Sequence, residues 1–416
     1  MREYLLYVLY IIFILYVIAL IAAKIHSPFW FHQPVYHPYE IYPRWCTIPY
    51  CKRKLLPKLG IFCKPDQIIS YSWNNCSDEI MNKIVELLQG HYVDNNSHLF
   101  HMDIDKFQKC LKMDTSSMLS VFHDFHLKEP TFQKCLDKSK IWGSITSRPI
   151  DLFFLKFSQK NTQIHFWDFI CVNGNYKSKT LSRNLIQTHI FNHLRIDPTF
   201  SGIYLFKKEV ELCKGIVPLI ETKVYTFLLK PTPIQKLPQY YSVRCLNKTH
   251  VHLWNAIYAE MTTQFEICCL ANTATSLEWL ENERYTIWIC VLKENKVEHI
   301  HGVYILENTF ISWDNDNIER KSMVRLAGSM IFRKEYPYDM DNLYFFKGFL
   351  HSLKNYLYDQ KQYGVLEIPN ISHNRHILKR WHEKYELKNE TDIAYYLYNM
   401  VYPKSPINSN NIIIIG

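Results

Sequence analysis

Residues 164–187, IHFWDFICVNGNYKSKTLSRNLIQ, decide the fold of this chain. Apolar side chains dominate 164–172, which predicts a buried strand, and an Asn-Gly-Asn turn follows at 173–175. Hydrophobic residues then recur at helical spacing between 178 and 194, which predicts a helix with one buried face. Basic and hydroxyl-bearing residues occupy 177–180, where the free N–H groups of a first helical turn favour a phosphate. The segment therefore predicts a strand, a tight turn and an anion-binding helix start.

The rest of the chain alternates strands with helices, which favours a mixed α/β (α+β) fold over an all-β sandwich or a helical bundle. Further strands are predicted near 141–146, 151–158, 202–206, 285–292, 299–306 and 365–368. Two α/β units, joined near the proline-bearing stretch 230–238, account for this order. The expected divisions are a transmembrane anchor at 1–25, an arm at 26–66, and two halves at 67–228 and 229–416. Proline and aromatic residues make the arm extended rather than helical in this prediction.

The composition limits the classes of partner. The 416 residues are 48% hydrophobic and carry a net charge of +9, but the basic residues are dispersed and form no polybasic arm. An anionic ligand or a membrane surface fits this pattern, and no nucleic-acid partner is expected. The twelve cysteines are scattered. A zinc site built from Cys46, Cys51, Cys63 and Cys76 would lack any C-x-x-C pair, so we expect free thiols and no metal site.

Residues 4–23 carry no charge, and their length suffices for a helix to cross a hydrocarbon core of about 30 Å. A cleaved signal peptide is the alternative, but its apolar core is shorter, and Arg2 and Glu3 cancel as leading charges. Basic residues follow the span at Lys24 and 52–54, which by the positive-inside bias places the large C-terminal part in the cytosol. We therefore expect an uncleaved, single-pass anchor.

Four consecutive isoleucines, 412–415, precede the last residue, Gly416. Runs of β-branched residues favour strands, whereas most chain termini are polar and frayed. A buried terminal strand would carry the carboxylate of Gly416 into the interior. Such burial is costly unless the carboxylate has a partner or a chemical role.

Five segments, in order, resemble those of the N-myristoyltransferases (glycylpeptide N-tetradecanoyltransferases), and together they cover most of residues 28–416. The similar segments are Phe29-Trp30 with 33–35, the helix end and loop 87–100, the strand 168–172, the basic stretch 177–179, and 395–399. The resemblance implies two tandem GNAT-like acyltransferase units related by a pseudo-twofold axis. Here one transmembrane helix, which lies outside the family pattern, precedes them.

The same resemblance implies transfer of a myristoyl (long-chain fatty acyl) group from acyl-CoA to the N-terminal glycine amine of proteins. The backbone N–H groups of Phe169 and Ile170 are expected to form the oxyanion hole, and the carboxylate of Gly416 to act as general base. Myristoyl-CoA is then a co-substrate, and no cofactor is bound permanently. Its expected contacts are Phe29, Trp30, Cys171, Val172, Lys177, Ser178, Lys179 and Thr180. The expected contacts of the peptide are Tyr92, Val93, Asp94, Asn95, Phe100, Tyr304 and Tyr396.

Two departures from the family pattern keep other functions open. The glycine-rich stretch before the paired tyrosines is replaced by 387–392, and Cys213 stands in place of a threonine that helps to bind the substrate amine. A catalytically degenerate, membrane-tethered protein that binds acyl-CoA or peptide is therefore one alternative. A GNAT-type transferase using acetyl-CoA or an aminoacyl donor is another, although the Phe-Trp arm and the isoleucine-rich terminus argue against it. A composition rich in Ile, Asn, Lys and Tyr suggests an AT-rich genome, such as that of a large DNA virus.

Overall fold

A computed structural model gives the fold of most of the chain. It describes residues 2–53, 59–93, 98–111, 116–123, 140–156, 158–176, 180–229, 236–279, 284–315, 318–332, 338–359 and 363–416. The helices are α1 (Arg2–His26), α2 (Pro28–Phe31), α3 (Tyr42–Trp45), α4 (Asp78–His91), α5 (Ile104–Leu111), α6 (Leu181–Ile196), α7 (Val251–Gln264), α8 (Thr273–Trp279), α9 (Tyr338–Asp359) and α10 (Asn374–Trp381). Single 3-10 turns cover Trp73–Asn75, Lys248–His250 and Ser409–Asn411.

The strands form one large mixed sheet and a small separate pair. They are β1 (Tyr50–Cys51), β2 (Ile68–Ser72), β3 (His98–Phe100), β4 (Met118–His123), β5 (Ile141–Phe154), β6 (Ser158–Val172), β7 (Tyr204–Glu209), β8 (Ile220–Leu228), β9 (Tyr241–Cys245), β10 (Ile267–Leu270), β11 (Tyr285–Glu294), β12 (Val297–Asn315), β13 (Ile318–Ile331), β14 (Tyr363–Pro369), β15 (Leu387–Tyr398), β16 (Met400–Val401) and β17 (Ile412–Ile415). The 15-stranded sheet has the order β17-β10-β5-β6-β7-β15-β8-β14-β13-β12-β11-β9, with β4 beside β5, β2 beside β4, and β3 beside β12; β1 pairs with β16. This architecture confirms the mixed α/β fold.

Two strand–helix–strand crossovers repeat within the sheet. In the first, α6 connects the parallel strands β6 and β7; in the second, α9 connects the parallel strands β13 and β14. β6 and β7 pair only at His165–Tyr204 and Phe166–Leu205, so the residues of β6 beyond Phe166 diverge from β7. The divergence opens a wedge between two strands of one sheet. The repeat supports an organisation in two units, whose boundaries at 67–228 and 229–416 stay a prediction.

The C-terminal strand is buried on both faces. Each of the four isoleucines of β17 is at most 6% exposed, and the strand runs parallel to β10. Ile413 and Ile415 pack into one apolar cluster with residues of β11 and β12, whereas Ile412 and Ile414 pack into another with residues of β5 and β6. Burial on both faces explains why the run contains no polar residue, and it confirms the predicted buried terminus.

The arm differs from its prediction as an extended segment. It contains two single-turn helices, α2 and α3, each with a proline at one of its first two positions. Proline is tolerated there because the first N–H groups of a helix have no intrahelical partner. The arm nevertheless lies on the sheet, through a bridge between Val35 and Tyr398 and through the β1–β16 pair. Preceding it, α1 is long and apolar enough to cross a membrane, and no residue of its most apolar window is buried.

Candidate functional site

A β-bulge lies at the predicted oxyanion strand. Ile145 is opposite Ile170 and Ser147 is opposite Trp167, so that two residues of β6, Asp168 and Phe169, face the single residue Thr146 of β5. The bulge turns the backbone N–H of Phe169 away from the strand ladder. That N–H donates to the Thr146 hydroxyl at 3.1 Å. The bulge thus supplies an amide whose partner is a side-chain hydroxyl, which another oxygen can replace.

Asp168, within this bulge, is a buried carboxylate with two cationic partners. Its Oδ2 accepts from Arg148 Nε at 2.7 Å and from Arg284 Nη1 at 3.3 Å, and its Oδ1 accepts from Arg284 Nη2 at 3.4 Å. Burial alone would raise the pKa of Asp168, but the two guanidinium groups outweigh it and lower the pKa to about 2. Asp168 is therefore ionised, and it ties the bulge to Arg284, the residue that precedes β11.

The C-terminus is held by the next residue of the same segment. Tyr285 Oη lies 2.9 Å from the terminal oxygen of Gly416 and 3.0 Å from Glu307 Oε1, and it can donate its one proton to either. Gly416 is half-buried, and a Cβ on it would lie 3.4 Å from Ile150 Cγ2. Adjacent residues, Arg284 and Tyr285, thus connect the two groups predicted to be catalytic: the strand carrying Phe169 and the terminal carboxylate.

Cross-strand ion pairs continue from Tyr285 over the sheet. Glu307 of β12 is opposite Arg325 of β13, which is opposite Glu367 of β14, and their closest N–O distances are 3.4 and 2.8 Å. Arg284 joins this row to Asp168, since its Nη2 lies 3.6 Å from Glu307 Oε1. We call the whole set the buried charge chain; it comprises Arg148, Asp168, Arg284, Glu307, Arg325 and Glu367. Its charges alternate in sign, and no side chain in it is more than 22% exposed.

Motifs and hydrophobic patterns in the sequence do not reveal most of this set. Arg325 and Glu367 each interrupt an otherwise apolar strand, at MVRLAG and VLEI. A single charge in an apolar strand was the available signal, because an isolated charged residue is rarely buried without a partner. The identity of the partner depends on strand pairing, which the spacing of residues does not reveal.

Three residues predicted to contact the peptide lie together beside the bulge. Ring centroids of Tyr92 and Phe100 are 4.9 Å apart, and those of Tyr92 and Phe169 are 5.5 Å apart. Val93 packs against the same apolar cluster. Asp94 and Asn95, which were predicted to act with them, lie outside the described residues.

The Phe-Trp pair of the arm packs on aromatic side chains of β6 and β7, beside the wedge. Trp30 stacks on Phe206 of β7 at 5.2 Å, and Phe206 stacks on Trp167 of β6 at 4.8 Å. Phe29 is buried in the same cluster, against Leu181 and Leu185 at the beginning of α6. The arm, the oxyanion strand and the start of α6 therefore meet at one place, as expected of an acyl-CoA site.

The other predicted site residues are distributed as follows. Cys171 faces the Phe169 cluster and Val172 faces the Phe29 cluster. Thr180 is exposed at the residue before α6, and Lys177, Ser178 and Lys179 lie outside the described residues. Tyr396 of β15 packs on Phe206 from the side of β7 that is away from β6, rather than beside Tyr92, and its hydroxyl accepts from the amide of Cys213 at 3.1 Å. Tyr304 is in a third cluster, where its hydroxyl donates to the carbonyl of Phe345 at 2.6 Å.

Three buried histidines lie behind the wedge. His165 and His193 rings are 4.4 Å apart, His193 Nδ1 is 2.8 Å from Tyr204 Oη, and His189 Nε2 is 2.9 Å from Ser147 Oγ. Burial lowers the pKa of His193 to about 4, and it lowers the pKa of His165 and His189 well below the usual value. Among the described residues, no group of three or more His, Cys, Asp or Glu side chains could hold a metal ion.

Acid is expected to destabilise the protein through this cluster. The three histidines are neutral in the folded protein, whereas in the unfolded chain they take up protons below their ordinary pKa of about 6.5. The free energy of unfolding is therefore highest above that pH, and it decreases as the pH falls below it. Each contributes about 1.4 kcal/mol per pH unit, and for His193 the loss ends near its folded pKa of about 4. Urea unfolding between pH 7 and 4.5 should show His193→Gln with a shallower slope than wild type. His252→Gln, at an exposed position, is the matched control; equal slopes in all three proteins would contradict the expectation.

Solved structures of similar fold were found for nearly the whole chain. A crystal structure of Saccharomyces cerevisiae N-myristoyltransferase with bound myristoyl-CoA is 13% identical, with a TM-score of 0.66 over 94% of this chain and 99% of that one. Another structure of that enzyme, with bound myristoyl-CoA and inhibitors, is 12% identical, with a TM-score of 0.67 over 94% and 96%. No family model and no curated protein matches the sequence. The chain therefore has the fold of the N-myristoyltransferases, as its five similar segments predict.

Proposed function

We propose that this protein transfers a long-chain acyl group, myristoyl in the first place, from acyl-CoA to the N-terminal glycine amine of proteins. One observation carries the proposal: the C-terminal oxygen of Gly416 is held by Tyr285, while the preceding Arg284 holds the bulge that carries the Phe169 amide. The carboxylate that the resemblance expects to act as base is thereby linked to the strand expected to carry the oxyanion hole. The similar solved structures, which hold myristoyl-CoA, favour the same donor.

The reaction needs a base, an oxyanion site and no side-chain nucleophile. The amine arrives as an ammonium with a pKa of about 8, so a modest base such as the Gly416 carboxylate suffices to remove its proton. The free amine attacks the thioester carbonyl, a C–N bond forms, and the C–S bond breaks to release CoA as a thiolate that takes up a proton. The N–H groups of Phe169 and Ile170 stabilise the intermediate oxyanion, at roughly 3–4 kcal/mol for each donor. The acyl oxygen takes the place of the Thr146 hydroxyl at Phe169.

The wedge between β6 and β7 is the proposed place of the acyl-CoA. Phe29 and Trp30 border it on the arm side, and Cys171 and Val172 continue the strand next to the oxyanion amides. Thr180, together with residues 177–179, would bind the phosphates at the start of α6. Peptide contacts are assigned to Tyr92, Val93 and Phe100, with Asp94 and Asn95 on the adjoining segment. Tyr396 would take part from its separate cluster, whereas Tyr304, which faces the opposite side of its strand, is not assigned to the peptide site.

The protein is proposed to be tethered through residues 4–23, with its catalytic part facing the cytosol. Support comes from α1, which is long, apolar and exposed, and from the basic residues that follow it. For a viral protein this would be the cytoplasm of the host cell.

A protein that binds acyl-CoA without turnover is the second candidate. Cys213 stands where the resemblance expects a threonine, and burial raises the pKa of its thiol to about 11. A neutral thiol is a weak hydrogen-bond donor and acceptor, so it would orient a substrate amine poorly. The Phe169 amide already donates to the Thr146 hydroxyl, which also fits a protein that does not use this amide as an oxyanion hole.

Mass spectrometry separates these functions. The full-length protein in detergent, incubated with myristoyl-CoA and a peptide that begins with glycine, should yield the peptide with one myristoyl group on its N-terminal amine. The N-acetylated peptide is the control and should stay unmodified. Binding of myristoyl-CoA without any acylated peptide would favour the binding protein. An acylated peptide formed from acetyl-CoA but not from myristoyl-CoA would favour a different GNAT-type transferase.

A further inference from the structure

The second half of α1 meets the folded body along one face only. Side chains from Tyr4 to Phe13 are 52–79% exposed, whereas Ile14 and Tyr16 fall to 39% and Val17, Leu20 and Ala23 are half-buried. The opposite face stays open, since Leu15, Ile18, Ile21 and Ile25 are 54–71% exposed. At 1.5 Å per residue, the exposed first half, residues 2–13, is about 18 Å long. A hydrocarbon core of about 30 Å therefore needs the second half of the helix as well.

The second half of α1 runs beside the arm. Tyr16 lines one cleft, of about 390 Å³, together with Ile41, Tyr42 and Tyr50 of the arm. The end of the helix is bonded to the folded body, where Ser27 Oγ donates to the carbonyl of Lys214 at 2.8 Å. Tyr16 precedes His26 by ten residues, which places the arm about 15 Å along the helix from its end.

The arm presents apolar side chains to solvent at this level. We define residues 41–48 as the arm turn; Trp45 is 82% exposed, and Ile41, Tyr42 and Ile48 are 58–69% exposed. Clustered exposed apolar residues mark an interaction surface, and Trp and Tyr favour the boundary between hydrocarbon and headgroups. Charge at the base of the arm turn is neutralised, because Lys52 pairs with Glu40. Within the arm turn, the exposed Arg44 donates to the carbonyl of Pro38 at 3.4 Å, and its long side chain can keep the guanidinium among the headgroups. A lipid surface fits this combination because the exposed patch is continuous with the apolar helix.

We propose that the arm turn inserts into the same bilayer as α1, so that helix and arm together form one membrane-embedded unit. Crossing the bilayer needs the second half of α1, so the arm turn beside Tyr16 lies at the depth of that half. Phe29 and Trp30 follow α1 within four residues, so the acyl-CoA wedge opens at the headgroup level. This placement rests on the proposed tether, and it is independent of whether the protein catalyses transfer.

Quenching by brominated lipids tests the insertion of Trp45. The full-length protein is reconstituted into phosphatidylcholine vesicles whose acyl chains carry bromine close to the headgroup. The chain has ten tryptophans, so wild type is compared with Trp45→Phe, a change at an exposed position that leaves the fold intact. Wild type should lose a larger fraction of its emission than Trp45→Phe, and Trp313→Phe should behave like wild type. Equal fractional quenching in wild type and Trp45→Phe would overturn the proposal and assign the arm turn to a protein partner.

A second variant pair tests the arm turn with charge. Ile41→Asp with Ile48→Asp keeps Trp45 but should lower the quenched fraction of the emission toward that of Trp45→Phe, because buried carboxylates oppose insertion. Val297→Asp, at an exposed apolar residue of the β11–β12 hairpin, should leave the quenched fraction at the wild-type value. An equal loss in both variants would also overturn the proposal. Neither assay contains acyl-CoA or peptide, so a failed transfer reaction does not affect the outcome.

Discussion

Extending the chain by a few residues beyond Gly416 is expected to slow acyl transfer by a factor of about 10² to 10⁴, the usual contribution of a general base. The extension replaces the carboxylate next to Tyr285 with a neutral amide, which cannot accept a proton from the incoming ammonium. The wedge that Phe29 and Trp30 border is not altered by the extension. The turnover number with a glycine peptide should therefore fall, while the affinity for myristoyl-CoA stays at the wild-type value.

Two further variants show whether the carboxylate itself is responsible. Gly416→Ala keeps the free terminus and adds a Cβ at an ordinary contact distance from Ile150, so it should retain activity. Tyr285→Phe keeps the carboxylate but removes the hydroxyl that positions it, so it should lower the turnover number and leave acyl-CoA affinity unchanged. An extended chain that turns over as fast as wild type would show that another group removes the proton.

Local patterns predicted the elements whose causes are local. The apolar run of β6, the periodicity of α6 and the isoleucines of β17 each carry their own signal. β5 is different: the residue patterns predict separate strands near 141–146 and 151–158. The structure has one strand, since Arg148 is neutralised by Asp168 of the neighbouring strand. A partner twenty residues away is a matter of sheet pairing, which residue patterns alone do not contain.

The candidate site shows the same division. Tyr92, Phe100 and Phe169 come together as their segments suggest, but Tyr304 does not join them. Val303 and Ile305 of β12 face the cluster that contains the terminal strand, so Tyr304, one residue out of phase, faces the opposite side. Which face of a strand is directed at the site depends on the register of the whole sheet. A motif gives the position of a residue in the chain but not this register.

Asp168→Ala is expected to lower the free energy of unfolding by about 3–5 kcal/mol, the usual cost of removing one member of a buried ion pair. The substitution leaves the buried guanidinium groups of Arg148 and Arg284 without their shared carboxylate. It also frees the β-bulge from the beginning of β11, next to the residue that holds the C-terminus. Urea unfolding of the full-length protein in detergent, followed by tryptophan emission, measures the change.

Charge rather than shape should account for this loss. Asp168→Asn keeps the size of the side chain and accepts hydrogen bonds, but a neutral amide cannot balance two buried cations, so its cost should be close to that of Asp168→Ala. Glu298→Ala breaks an exposed pair with Arg244, and stability should stay unchanged because water already screens that pair. If Asp168→Asn were as stable as wild type, hydrogen bonds alone would hold the bulge. The buried charge chain would then be a consequence of the fold and not one of the interactions that position the site.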